Sequence, residues 1–363
     1  MGGTSRRWAG YLARLHDGNF NHALDHARWP ISQADLLPHY QQALVFFGRK
    51  TEVVTHHQWP LLDGKMALRP ISRGAPMRIT TLETFTRSPN VEIQTGHHVV
   101  RLESADRQRV DHILIKPDEG DLFRLKILPG QQVVLACGGL GNAQVLMQPQ
   151  DTTTTGVGNE SGYAGKCLME HPHATCGAVF LTKQFHDRLT RQTESKGLGQ
   201  FLTAFALSDR VRRSESLFDC TLTLHMRPQK NNQGLQFSQV WGTNVVAGTV
   251  IALAEQEPVE TNAVQLLNER NRAGLLRLRT ECVLTGRDLR SIYDSARTLG
   301  EWLATHNVGA FKFHNDGIFR EARGGGHTMG TTRMGISPKN SVCDRNARVH
   351  GYSNLHLAGS SLF

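Results

Sequence analysis

The stretch VVLACGGLGNAQVLM, from Val133 to Met147, constrains the fold more than any other part of the chain. Val133 to Ala136 read as a buried strand, three glycines follow, and a helix is predicted from Asn142 to Met147. In such a unit, unpaired backbone N–H groups lie at the positive N-terminal end of the helix, where anions bind well. The glycine spacing is a poor dinucleotide fingerprint, because Gln144 stands where a third Gly or Ala belongs. Alone, the stretch predicts a tight strand–helix connection and leaves cofactor contact open.

The strands predicted elsewhere point to a second, largely antiparallel sheet. Three apolar runs are separated by long polar connections, at residues 174–182, 217–226 and 245–254. A helix over about 285–306, with apolar side chains at three-and-four spacing, is expected to cover this sheet. Two further strands, VEIQTGHHVVRL and VDHILIKP, precede LKILPGQQVVLACGG, which reads as a hairpin. The predicted fold class is therefore α/β, and α+β overall, with a mainly antiparallel sheet covered by helices.

Composition excludes several classes of function. With 363 residues and 39% hydrophobic residues, the chain is long enough for roughly two domains. The 41 Lys and Arg outnumber the 32 Asp and Glu, but the arginines are scattered, which argues against a nucleic-acid partner. No run approaches the roughly 20 apolar residues of a membrane span. Six cysteines without a CxxC pair predict neither a disulfide scaffold nor a zinc site.

The histidines offer the candidate reactive groups. His327 enters the glycine-containing loop HTMGTTRMG, where its imidazole is suited to proton transfer near neutral pH, although a surface-loop histidine is an equal alternative. His171 and His173, in EHPH, would face one side of a strand as a metal pair could, but no third ligand of matching spacing follows. The chain has no GxSxG, HExxH or P-loop motif, so a hydrolase or NTPase is not indicated.

Three segments rich in small residues recur in an informative order: GGTSRRWAG, then VVLACGGLGNAQVLM, then HTMGTTRMG with LHLAGSSLF. Together they resemble the glucose–methanol–choline (GMC) flavoprotein oxidoreductases. WPISQADLLPHY and AEQEPVETNAVQL resemble segments of the sugar-dehydrogenase branch, and GKCLMEHPH resembles the entry to its substrate sheet. The most specific match is the final stretch, from His327 to Phe363. The resemblance covers most of the chain.

The resemblance implies an FAD-binding domain and a substrate-binding domain. It assigns residues 1–24 and 90–165 to FAD binding, 25–89 to a helical lid or substrate-side segment, 166–326 to substrate binding and 327–363 to a C-terminal FAD-binding and catalytic segment. The implied FAD contacts come from five places in the chain: Gly2, Gly3, Thr4, Ser5 and Trp8; Val99 and Val100; Ala136, Gly138 and Gly139; Asn142; and Gly359 and Ser360.

The resemblance also implies a reaction. The flavin would accept a hydride from the carbon of a sugar, polyol or other alcohol, and His327 would take the hydroxyl proton. Arg333 and Met334 belong to the same motif and are expected to give structural support. The resemblance implies no metal, and it leaves both the electron acceptor and the choice between oxidase and dehydrogenase open.

Two parts of the family pattern have no counterpart in this sequence. No strand with GxGxxG precedes Gly2, and the chain ends at Phe363, before the segment that carries the second catalytic group. Two hypotheses follow. In the first, the chain is the middle and C-terminal portion of an FAD-dependent sugar or polyol dehydrogenase recorded short at both ends. In the second, it is a degenerate chain without activity, or half of an enzyme whose partner supplies the nucleotide fold. Localisation stays open in each case.

Overall fold

The computed structural model describes residues 11–15, 17–20, 28–47, 59–60, 64–73, 87–194, 201–226, 244–314 and 322–363. Its fold is mixed α/β, with an antiparallel sheet covered by helices, which confirms the predicted class. The candidate cofactor residues Gly2, Gly3, Thr4, Ser5 and Trp8 lie outside the described residues. None of the described helices is long and apolar enough to span a membrane.

A large antiparallel sheet dominates the fold. Its strands are β1 (Tyr11–Leu12), β2 (Trp59–Pro60), β3 (Met66–Arg73), β8 (Pro172–Thr182), β9 (Phe201–Leu207), β10 (Cys220–Met226), β11 (Val245–Ala254), β14 (Gly309–Phe313) and β15 (Arg323–Gly324). Their order is β1-β3-β9-β10-β11-β8-β14, with β2 beside β3 and β15 beside β8. The run 245–254 is a strand as predicted, whereas β8 begins at Pro172, two residues before the predicted start. β10 begins at Cys220, three residues after the predicted start of the run 217–226.

A long helix, α6 (Gly286–Thr305), covers this sheet, as its apolar spacing predicted. A capping box fixes its start, because the Thr285 hydroxyl accepts from the Asp288 N–H while the Asp288 carboxylate accepts from the Thr285 N–H. Ile292, Leu299 and Leu303 are fully buried against the strands. Two shorter helices complete this layer: α4 (Lys183–Glu194) and α5 (Asp209–Ser214). The buried side chains of sheet and helices form one core.

Two smaller antiparallel sheets and two helices lie outside this core. β4 (His97–Glu103), β5 (His112–Pro117) and β6 (Phe123–Lys126) form an antiparallel sheet, and β12 (Ala263–Arg270) pairs with β13 (Leu276–Glu281). Two helices precede them: α1 (Asp17–Phe20) and α2 (Gln33–Phe46). Within the predicted strand VEIQTGHHVVRL, only the residues from His97 onward pair with a neighbouring strand. Ser32 caps α2 through a capping box with Asp35.

The remaining sheet is a parallel pair, in which β7 (Val133–Leu135) lies beside β16 (Leu355–Leu357). The prediction of a hairpin in LKILPGQQVVLACGG was wrong, because β6 pairs with β5 and β7 pairs with a strand near the C-terminus. α3 (Gly138–Leu146) follows β7 and begins four residues earlier than predicted, since the glycine turn forms its first turn. A short 3₁₀ helix, Ser360–Leu362, follows β16. These elements pack into a second core.

Candidate active site

Two glycine turns stand next to each other at the end of the parallel pair. Because β7 and β16 are parallel neighbours, their carboxyl ends meet at one edge, where α/β sheets bind ligands. Gly138, which follows β7, has φ +82°, and Gly359, which follows β16, has φ +106°. A Cβ atom at either glycine would meet no atom within 4 Å, so both turns border open space. The first N–H groups of α3 are directed to this edge.

The side chain of Asn142 joins the two turns. Its Oδ1 accepts a hydrogen bond from the Cys137 N–H at 2.8 Å. Its Nδ2 donates to the Ala358 carbonyl at 3.1 Å and to the Ser361 hydroxyl at 2.8 Å. The residue is fully buried. In the structure its polar atoms hold the turn after β7 against the turn after β16, and the predicted contact of Asn142 with the cofactor stays a prediction.

The loop that carries His327 is bonded to the same two turns. The Thr332 hydroxyl donates to the Ser361 hydroxyl at 2.7 Å, and the Thr331 hydroxyl donates to the Gly139 carbonyl. The Ser360 hydroxyl donates to the Thr328 carbonyl at 2.8 Å. A Cβ atom at Gly139 would collide with Thr328. Glycine at this position therefore lets the loop approach the start of α3.

The other side of this loop is bonded to the large sheet. Arg323 and Gly324 pair with His173 and Pro172, the first residues of β8. The main chains of Met169 and Met329 exchange hydrogen bonds of 3.0 and 2.9 Å. The segment from Arg323 to Thr332 therefore spans the distance between the parallel pair and the large sheet. His327 lies in the middle of it.

The imidazole of His327 is half-buried and has free ring nitrogens. Neither nitrogen has a hydrogen-bond partner in the part of the chain that the structure describes. The ring packs against that of His171, whose centroid lies 4.6 Å away at an interplanar angle of 45°. A ring that is held by packing, with both nitrogens uncommitted, can accept a proton from a bound molecule.

His171 and His173 complete a histidine cluster with His327. The Nδ1 atom of His171 and the Nε2 atom of His173 share a hydrogen bond of 2.9 Å. Burial, followed by the neighbouring His173 and His327, lowers the pKa of His171 to about 4. Burial also lowers the pKa of His173, with His327 adding to the effect and Glu170 opposing it. Among the described residues, no group of three or more His, Cys, Asp or Glu could hold a metal ion.

The other predicted site residues fall in two groups. Ala136 is exposed at the end of β7, and Ser360 is exposed beside Gly359 at the turn after β16. Val99 and Val100 lie in β4, which packs against α3. No described contact brings either valine to the glycine turns.

The two motif residues after Thr332 serve the core. Arg333 is buried, and Met334 packs into the core beside the parallel pair. Sequence reasoning missed the roles of Thr331, Thr332 and Ser361. The signal was available, since hydroxyl residues beside glycines are the natural partners for exposed turn carbonyls.

Comparison with known proteins finds similarity to one family over the C-terminal part of the chain. Residues 258–363 match the model of the GMC oxidoreductase C-terminal domain. The 2-methyl-1,2-propanediol dehydrogenase of Mycolicibacterium austroafricanum is 22% identical, and the alignment covers the whole of this chain and 76% of that protein.

Solved structures show the same fold. Pyridoxine 4-oxidase from Mesorbium loti superposes with a TM-score of 0.50 at 17% identity, covering 82% of this chain and 59% of that one. An FAD-dependent oxidoreductase from Chaetomium thermophilum superposes with a TM-score of 0.44 at 12% identity. The match covers 84% of this chain and 64% of that one. The chain therefore spans about three fifths of the length of these solved structures. Residues 258–363 therefore match the C-terminal domain of the GMC oxidoreductases, and the fold of the chain is similar to that of a solved oxidase.

Proposed function

We propose that this protein oxidises the hydroxyl group of a small alcohol or polyol in an FAD-dependent reaction, with His327 as the proton acceptor. One observation carries the proposal. The loop of His327 is hydrogen-bonded to both glycine turns, through Thr331, Thr332 and Ser360. A half-buried imidazole with free nitrogens is thereby held on the same loop that borders two open turns.

The residues present fit one side of a flavin nucleotide. Gly138 and Gly359 leave open space where side chains would stand, and the start of α3 offers N–H donors to an anionic or electron-rich group. Ala136, Gly138, Gly139, Gly359 and Ser360 would hold the cofactor here. When bound, the flavin supplies the hydride acceptor. Contacts from Gly2, Gly3, Thr4, Ser5, Trp8, Val99 and Val100 remain predictions.

This chain's own contribution to the reaction is proton removal and positioning. A free nitrogen of His327 would take the proton from the substrate hydroxyl as the neighbouring carbon is oxidised. Glu170 helps to fix the loop, because its carboxylate accepts from the Gly326 N–H at 2.7 Å. The similarity to a diol dehydrogenase favours small alcohols with more than one hydroxyl group as the first substrates to test. The electron acceptor is not part of this proposal.

A second candidate is a chain that is inactive until another polypeptide segment completes the nucleotide fold. Parallel sheets are normally covered on both faces. Among the described strands β7 has one neighbour, and Val134 at its centre is 57% exposed. This exposure favours a partner for that face of the parallel pair.

Reconstitution with FAD separates the two candidates. The purified chain is incubated with FAD, freed of unbound cofactor by gel filtration, and supplied with a panel of alcohols and a dye as electron acceptor. The first proposal predicts a yellow protein that reduces the dye with at least one alcohol. A colourless protein that is folded by circular dichroism would contradict it and favour the second candidate.

A further inference from the structure

The three imidazole rings of the histidine cluster pack against one another, although proton acceptance by His327 alone needs only one ring. The ring centroid of His171 lies 4.6 Å from that of His173 and 4.6 Å from that of His327. The bond between His171 Nδ1 and His173 Nε2 fixes the rotation of the His171 ring. The middle ring of the three is therefore oriented from one side and contacts His327 on the other.

Gly325 sets the spacing of the three rings. A Cβ atom at this position would lie 3.0 Å from His173 Nε2, 3.1 Å from His327 Cδ2 and 3.2 Å from His171 Cε1. A side chain at residue 325 would therefore press on all three imidazoles at once, and glycine leaves them room. Its position is fixed in turn by the pairing of Gly324 with Pro172 and by the bond from the Gly326 N–H to Glu170.

His171 could act on His327 either by orienting its ring or by relaying its proton, and the geometry separates these two roles. In the described part of the chain no hydrogen bond joins His171 to His327, and the two rings contact each other at a tilt of 45°. A proton would need a hydrogen-bonded path to pass from one ring to the other. Burial and the adjoining imidazoles also lower the pKa of His171, which keeps this ring neutral near neutral pH. His171 is therefore placed to orient His327 and not to carry its proton away.

We propose that His171, itself held by His173, is a positioning residue that fixes the imidazole of His327 for proton acceptance from the substrate hydroxyl. This inference rests on the proposed function of His327. Positioning is worth a large factor in rate, because a misplacement of about 1 Å can cost about 100-fold. The part of His171 that matters is its flat ring, and the part of His173 that matters is its hydrogen bond.

Two pairs of variants test the two halves of this statement. His171→Phe keeps a flat ring against His327, whereas His171→Asn keeps a polar group near His173 but removes the ring. His173→Gln retains a donor and acceptor for His171 Nδ1, whereas His173→Leu retains bulk and removes both. Each variant is loaded with FAD and measured for kcat, KM, bound FAD and thermal midpoint.

The expected pattern separates positioning from packing. We expect His171→Asn to lower kcat by about tenfold or more, with KM and bound FAD little changed. His171→Phe keeps the ring but loses the bond to His173, so it should lower kcat only by the smaller factor expected for His173→Leu. His173→Leu should lower kcat by a smaller factor, and His173→Gln should restore it. An unchanged kcat in His171→Asn overturns the inference. Equal losses in His171→Asn and His171→Phe that follow a common fall in thermal midpoint also overturn it.

A second readout is independent of turnover. NMR of the histidine ring protons in the FAD-free protein reports the environment of His327 directly. We expect the His327 signal to shift and broaden in His171→Asn and to stay sharp in His171→Phe, because the stacked ring fixes its orientation. If the wild-type protein oxidises no alcohol, the proposed function fails while this readout still decides whether His171 orders His327. Identical His327 signals in both variants overturn the inference.

Discussion

The large sheet and the parallel pair are stabilised in different ways. The large sheet is covered by α6, and residues such as Phe180 and Phe205 are completely buried. The parallel pair has three residues per strand, and Val134 in its centre is 57% exposed. Its two turns depend on side-chain hydrogen bonds from Asn142 and Thr332. Both regions therefore have an apolar core, but the two turns on the proposed cofactor side depend in addition on a few polar contacts.

The largest effect on stability is expected in the large sheet. Leu299→Ala removes a fully buried side chain from α6, and such a change costs roughly 2–5 kcal/mol through lost burial and a cavity. Chemical denaturation measures the loss. Leu37→Ala in α2 is the matched control, because Leu37 is 42% exposed and its loss should cost about 0.5 kcal/mol or less. Similar costs for the two variants would contradict a core centred on α6.

Asn142→Ala tests the polar contacts that hold the two glycine turns together. It leaves the Cys137 N–H and the Ala358 carbonyl without their partner, which costs about 1–3 kcal/mol. Because the two turns would then separate, we expect FAD affinity, measured by flavin fluorescence, to fall about tenfold or more. Gln144→Ala is the control, since Gln144 lies on the same helix and donates to the Leu276 carbonyl instead. Equal FAD affinities in the two variants would show that Asn142 does not hold the site.

The glycine turn itself provides the next test. Gly138→Ala places a side chain at φ +82° in open space, so its cost of about 1–2 kcal/mol is conformational. Gly286→Ala adds a methyl group that also meets nothing within 4 Å, at a residue whose φ is not left-handed. We expect this control to be neutral or slightly stabilising. Thermal unfolding of both variants measures the difference, and equal midpoints would contradict it.

The smallest effect concerns acid stability. The pKa of His171 is about 4 in the folded chain and about 6.5 in the unfolded chain, so below pH 6.5 the unfolded chain binds a proton that the folded chain does not. Stability should therefore fall as the pH drops from about 6.5 to about 4. His171→Phe removes roughly 1–2 kcal/mol of this dependence, after allowance for solvent screening. Denaturation midpoints at both pH values measure it, and parallel pH profiles for variant and wild type would contradict it.

Local signals in the sequence were sufficient for the long elements. α6 was predicted to within one residue at each end, because Thr285 supplies a cap and apolar residues recur at helical spacing. β11 was predicted with its observed bounds, since ten mostly apolar residues form a buried strand. The antiparallel character of the large sheet followed from these separate runs.

Pairing between distant segments was not predictable in the same way. The partner of β7 is β16, more than 200 residues further along, and a three-residue strand carries no signal for such a partner. The histidine cluster has the same origin. EHPH predicted that His171 and His173 share one side, but the contact with His327 depends on β15 pairing with β8.

The most direct test of His327 as the proton acceptor is the rate of flavin reduction in a single turnover without oxygen. FAD-loaded wild-type protein and His327→Gln are mixed with the best alcohol from the panel, and the loss of visible flavin absorbance is followed. We predict that both bind FAD equally, and that the variant is reduced about 10²–10⁴-fold more slowly. Equal reduction rates would contradict the assignment of His327 as the base.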